Sequence, residues 1–192
     1  MWQKFRFVRV LFVGFEFIIG SIPHYIGGNI LRLVFWRKFT DYGSVKFESV
    51  KVSGRQNIYI GEDCHFMSGC ILRAETGVLK IGKRASVNNS VIIDANNEGS
   101  IVIEDDVLIG PNSVMRASNH RTNIKTNINK QGHVPGSIFI GSDVWIGANT
   151  VILAGSQIES GAVIAAGAVV NGICSANTIY GGVPAKKIGI RS

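Results

Sequence analysis

Cysteine is scarce and poorly spaced for bonding: Cys64, Cys70 and Cys174 are odd in number and form no CxxC pair. Neither a disulfide framework nor a zinc site of ordinary spacing follows, and a reducing compartment is expected. Proline is equally scarce, 4 residues against 23 glycines in a chain of 192, so turns fall to glycine. No apolar run reaches spanning length, because residues 17–31 contain Pro23, three glycines and Asn29 and fall short of about 18–20 apolar residues. The N-terminus begins basic and turns apolar like a leader, but Glu16 interrupts it and no small-x-small cleavage site follows. The expectation is a cytoplasmic chain that does not cross a membrane.

Acidic residues are outnumbered, 13 against 20 Lys and Arg, for a net charge of +7. Residues 1–43 hold Lys4, Arg6, Arg9, Arg32, Arg37 and Lys38 against Glu16 and Asp41, so +4 of that charge sits there. Such a balance favours an anionic partner, whether phospholipid, nucleic acid or phosphorylated substrate. Beyond charge no nucleic-acid-binding signature is present, and nucleic acid is not expected.

What the chain has in abundance is a rhythm. From Ile140, steps of six give Ile146, Ile152, Ile158, Ile164 and Val170, and four residues after each comes Val144, Thr150, Ser156, Ala162, Ala168 or Cys174. Upstream the pattern recurs at Ile103, Ile109 and Met115, at Ile81, Val87 and Ile93, and at Ile60, Phe66 and Leu72. Glycine or an acidic residue often follows the aliphatic (Gly61, Gly82, Glu104, Gly110, Gly141, Gly147, Glu159), as a turn would want. A period of six is neither helical nor a plain two-residue alternation. It fits a short strand plus a turn, three to a triangular coil, with coils stacked at about 4.8 Å. The reading is an all-β chain folded as a parallel β-helix, with aliphatic and small positions inward.

The rhythm stops between Met115 and Ile138, in "RASNHRTNIKTNINKQGHVPGS". These residues are too polar to face inward and must project as a loop, residues 116–137, and long loops on rigid scaffolds carry function. The loop opens on His120, and a histidine, with an ordinary pKa of about 6.5, is well suited to general-base work. His133, late in the loop, is the second candidate. His24 and His65 read as structural. The three cysteines take small inward positions, where a thiol is buried and inert.

The segments "IGSDVWIGANTVILAGSQI", "AVIAAGAVV" and "GGVPAKKI" resemble the hexapeptide-repeat O-acetyltransferases that act on galactosides, maltose, nodulation factors and polysaccharides. The resemblance spans about residues 45–190 and implies a left-handed coil, acetyl-CoA as co-substrate and a homotrimer. It implies that His120, thirteen residues past Val107 as in the family, is the catalytic base. "SVNNSVIID" matches the segment whose asparagine and aspartate bind the acceptor, which points to Asn88 or Asn89 and to Asp94, although the insertion "ANNEGS" follows and Asn88 and Asn89 also read as plain corner residues. For acetyl-CoA the matching positions are Ala148, Ala166, Asn171, Gly172 and Lys186, with Lys187 or Arg191 as further phosphate partners; Asn119, beside the base, is placed near the thioester carbonyl, and Trp145 near the donor site or equally in a packed subunit interface. Many relatives carry Thr-Lys where this chain has Asn171 and Gly172, so that lysine contact is missing. No metal is expected: the carbonic anhydrase version of this coil needs three histidines, and none stands five residues after His120.

Two units are therefore expected: residues 1–43, an apolar, basic helical segment, and residues 44–192, the β-helix with the loop 116–137 and a C-terminal segment 175–192. In the first, Ile30, Leu31, Val34 and Phe35 share a helical face, which fits either a cap over the open coil or peripheral contact with the inner face of a membrane. The function expected is acetyl transfer to a sugar hydroxyl in surface polysaccharide, O-antigen or exopolysaccharide synthesis, on a sugar or lipid-linked saccharide. The rivals are N-acylation of an amino-sugar nucleotide, serine O-acetylation, and a non-catalytic scaffold with membrane contact.

Overall fold

The computed structural model describes residues 45–192, in strands of two to five residues. The expected cap or membrane segment, residues 1–43, lies outside the described residues. Among those described, no helix is long and apolar enough to cross a membrane.

Three parallel sheets form the faces of a triangular prism. The first runs through Lys46–Phe47, His65–Phe66, Ser86–Val87, Leu108–Ile109, Trp145–Ile146, Val163–Ile164 and Thr178–Gly181. The second holds Lys51–Ser53, Ile71–Arg73, Ile92–Asp94, Val114–Arg116, Val151–Ile152 and Val169–Val170. The third holds Ile58–Ile60, Val78–Ile81, Ser100–Ile103, Ser137–Ile140, Gln157–Ile158 and Ile173–Cys174. Each coil visits the faces in that order and pairs with the coils above and below, as in Leu108 with Ser86 and Trp145. This is the parallel β-helix expected from the hexads, with the left hand that the resemblance implied. Lys46 to Cys64 (2.8 Å) and Ser86 to Val107 (2.9 Å) are typical of the N–H to carbonyl bonds that join successive coils.

The periodic residues make the core. Ile140, Ile146, Ile152, Ile158, Ile164 and Val170 are at most 1% exposed, and the small series from Val144 to Cys174 at most 2%. Each such aliphatic contributes about 1.5–3 kcal/mol by leaving water, and the corners admit only small side chains. Where a hydroxyl takes a corner it donates to a backbone carbonyl: Ser113 to Gly147 at 3.0 Å, Thr150 to Gly147 at 2.8 Å, Ser156 to Val170 at 3.1 Å. These three buried hydroxyls are thus satisfied within the coil.

The glycines that follow the aliphatics serve a different purpose from the turn expected of them. The left-handed residue stands two positions later, at Asp63, Arg84, Asp106, Asn112, Asp143 and Asn149, with φ between 56° and 61°. The glycine is there for clearance: a Cβ on Gly147 would lie 2.5 Å from the Ala166 nitrogen, and one on Gly110 would lie 2.6 Å from the Ala148 nitrogen. Both obstacles are backbone. Gly147→Ala is therefore expected to cost about 1–3 kcal/mol as overpacking, read as a thermal midpoint several degrees lower.

Every insertion into the six-residue step falls at one corner, between the second and third faces. Ile152 to Ile158 is six positions there, but Leu72 to Ile81 is nine, Ile93 to Ile103 ten and Met115 to Ile140 twenty-five. From Phe66 onward the other two corners keep six. The largest excursion contains an antiparallel hairpin, Ser118–His120 with His133–Pro135. At the other end, Lys186–Ile190 turns back antiparallel along Thr178–Gly181 and covers the edge of the first sheet, which would otherwise invite pairing with another chain.

Candidate active site

The hairpin is rooted in the coil. Ala117 N–H donates to the Asp94 carbonyl at 3.0 Å, Gly136 N–H to the Ala117 carbonyl at 2.9 Å, and Asn97 Nδ2 to Ser118 Oγ at 3.1 Å. Further out, the Gln131 side chain accepts from Asn123 N–H (2.8 Å) and donates to the carbonyls of Asn123 and Thr126. The loop is thus ordered by its own bonds.

His120 and His133 face each other across the hairpin, paired in register, with ring centroids 4.1 Å apart and planes at 39°. His120 is exposed, while His133 is half-buried and its Nε2 is enclosed without a hydrogen-bond partner. Burial first, then the charges of His120 and Arg116, hold His133 below the usual histidine range, and Asp94 opposes them. A group whose folded pKa is lowered stabilises fully above its unfolded value, about 6.5, and that stability is lost as pH falls through the folded value. The protection factor for hydrogen exchange at Arg121 N–H, which donates to the Gly132 carbonyl at 3.1 Å, is accordingly expected to fall in acid. His133→Phe should remove that acid sensitivity.

Asp94 ends its strand on the second face, 5% exposed. The register places it between Arg73 and Arg116, and Arg73 Nη1 lies 3.8 Å from its Oδ2. Its Oδ1 accepts Asn96 N–H at 3.0 Å. The structure thus groups His120, His133, Arg116, Asp94 and Arg73 at the corner between the second and third faces. Asn119 is exposed beside His120, and Asn171 and Gly172 mark the same corner two coils above the hairpin.

The other predicted residues follow the opposite edge of the second face, its corner with the first. Asn88 and Asn89 stand there in one coil, with Asn88 Oδ1 accepting Asn89 N–H at 2.8 Å. Asn112 N–H donates to the Asn89 carbonyl at 3.0 Å, Asn149 N–H to Pro111 at 2.9 Å, and Gly167 N–H to Ala148 at 2.8 Å. Pro111, Ala148 and Ala166 therefore form a column of small side chains where a slender ligand can reach main chain. Trp145 faces outward on the first sheet, 55% exposed beside Leu108. Lys186 is exposed opposite Gly181, and Lys187 is exposed beside it. Arg191 is engaged elsewhere, donating to Asp143 Oδ2 at 2.7 Å.

Sequence reasoning missed Arg73 and Arg116. Their signal was spacing: 21 and 22 positions separate Arg73, Asp94 and Arg116, about one coil each. The cysteines match their reading: all three are buried and burial raises their pKa, that of Cys174 to about 11. His65 also matches, its Nε2 resting 3.3 Å from Glu48.

Residues 137–172 match the family described as bacterial transferase hexapeptide (six repeats). The coil is a hexapeptide-repeat β-helix. Solved structures with this fold cover most of the chain. AntD, an N-acyltransferase from Bacillus cereus in complex with dTDP and coenzyme A, is similar at 20% identity over 88% of this chain and 90% of its own, with a TM-score of 0.72. A maltose O-acetyltransferase from Clostridium difficile 630 is similar at 21% identity over 91% of this chain and 81% of its own, with a TM-score of 0.62. A hexapeptide-repeat acetyltransferase from Vibrio cholerae O1 biovar eltor, complexed with acetyl coenzyme A, has the same identity and coverage and a TM-score of 0.63. No match to a curated protein accompanies these.

Proposed function

We propose that the hexapeptide-repeat coil is an acetyl-CoA-dependent O-acetyltransferase acting on a sugar hydroxyl. The observation that carries this reading is the hairpin that pairs His120 with His133 beside a buried carboxylate, Asp94, at the edge where every insertion of the coil collects. The thioester supplies the acetyl group. His120 takes the proton from the acceptor hydroxyl as its oxygen attacks the thioester carbonyl, and the imidazolium returns that proton to the coenzyme A thiolate that leaves, work worth about 10²–10⁴ in rate for a positioned base. His133, tilted against it, holds the imidazole in one orientation. Asp94, kept in place by Arg73 and the Asn96 N–H, accepts a hydrogen bond from a neighbouring sugar hydroxyl. Asn119 beside the base offers an N–H toward the carbonyl oxygen as negative charge develops there.

The pantetheine arm fits the column of Pro111, Ala148 and Ala166, where small side chains leave backbone within reach. Lys186 and Lys187 offer charge to its phosphates, and Trp145 flanks the groove. In one chain this column and the His120 corner border opposite sides of the second face. A ring of subunits that sets one protomer's column against its neighbour's corner unites them, which supports a homotrimer. The apolar side chains at the loop tip, Ile124 at 99% exposed and Ile128 at 53%, are suited to such a contact. Residues 1–43 are assigned to the inner face of the membrane, next to a lipid-linked saccharide of surface polysaccharide synthesis.

The test is transfer of label from acetyl-CoA to a panel of sugars and amino-sugar nucleotides, with mass spectrometry locating the acetyl unit. An ester on a sugar oxygen supports the proposal, and absence of transfer to any acceptor refutes it. An amide on an amino sugar is the second reading, favoured by the higher TM-score of the Bacillus cereus N-acyltransferase.

A further inference from the structure

The second face carries a cavity of about 310 Å³ that the chemistry above does not use. It is lined by Lys51, Ser53, Ile71, Arg73, Glu75 and Asn96. Lys51 and Ile71 are neighbours in register, as are Ser53 and Arg73, so the strands supply its floor. Glu75 and Asn96 come from the lengthened corners and wall one side, the Glu75 N–H donating to Asn96 Oδ1 at 2.6 Å. Its size lies at the small end of ligand pockets.

The lining decides the class of occupant. Two cations, Lys51 and Arg73, are balanced by two carboxylates, since Arg73 faces Asp94 at 3.8 Å and Glu75 stands in the wall. A phosphate would need cations left uncompensated. The Glu75 carboxyl is held below its usual range chiefly by a hydrogen bond from Ser53, so it remains an acceptor. Lys51 donates, and Asn96 and Ser53 can do either. Ile71 gives a half-buried aliphatic floor. Donors and acceptors in equal supply over an apolar base suit a neutral ring that bears many hydroxyls on its rim and C–H bonds on its face.

We propose that this cavity is a distal saccharide subsite, which makes the acceptor an oligosaccharide or a growing glycan rather than a free monosaccharide. The inference rests on the acetyltransferase reading. Arg73 connects the two places, lining the cavity and flanking Asp94. The cavity spans the first three described coils and the hairpin leaves the fourth. Two coil spacings of about 4.8 Å separate its centre from the hairpin's coil, a gap that one further sugar unit bridges.

The test uses the full chain on an array of bacterial mono- to hexasaccharides, followed by kinetics on the best ligand and on its terminal monosaccharide. Wild type should bind the oligomer at least about tenfold more tightly than the monosaccharide, the gain of one well-fitted pocket. Ile71→Trp, which fills the cavity, and Glu75→Ala, which opens its wall, should both erase that preference in binding and in kcat/KM while transfer to the monosaccharide persists. Equal preference in wild type and both folded variants overturns the subsite, as does binding of inorganic pyrophosphate in place of glycans, or no glycan binding at all. Glycan binding that Ile71→Trp abolishes, without acetyl transfer, keeps the subsite and refutes the acetyltransferase. Transfer with no preference for length does the reverse.

Discussion

His120→Ala is expected to lower kcat by about 10²–10⁴ and to leave the KM for acetyl-CoA close to that of wild type. The side chain is exposed on a hairpin arm whose root bonds come from Ala117, Ser118 and Gly136, so its removal opens no cavity in the coil. The far-ultraviolet spectrum and thermal midpoint should be unchanged. An unchanged kcat would dismiss the base, and a kcat that falls together with the midpoint would assign His120 a structural role. His133→Ala offers a contrast: loss of the neighbouring ring should lower kcat less, and His133→Phe should recover part of it.

The second large effect concerns two variants that are each inactive. Ala148→Trp obstructs the small-residue column on one edge of the second face, and His120→Ala removes the base on the other. If each site is built from the column of one subunit and the corner of the next, unfolding, mixing and refolding the two in equal amounts should restore activity. Random assembly of a trimer places an intact column against an intact corner at about one interface in four, so about a quarter of wild-type activity is expected. A site contained within one chain would give none. Native mass spectrometry of the mixture checks that mixed trimers formed.

The core was legible because its signal is one-dimensional. A rung of two residues puts one side chain inward, six positions return the chain to an equivalent place, and nothing distant has to be known to write down Ile140, Ile146 and Ile152. His120 was legible for the opposite reason, as the point where that rule fails. Arg73 and Arg116 were not, because their significance is relative to Asp94 across coils of unequal length, and a one-residue error in counting an insertion moves a side chain to another place. The role of Gly147 was also hidden: a glycine required by the backbone one coil above leaves the same letter as one required by its own turn. The two-sided placement of the predicted ligand contacts followed only from the register, since Asn89 and Asp94 are five positions apart in sequence yet belong to different corners.

The corner that accepts nine, ten or twenty-five residues in place of six leaves the stacking of the strands on either side unaltered. A prism with one permissive seam and two strict ones can exchange its recognition surface without renegotiating its stability. Grafting a foreign hairpin between Ala117 and Gly136 would thus be a practical route to new acceptors on an unchanged frame.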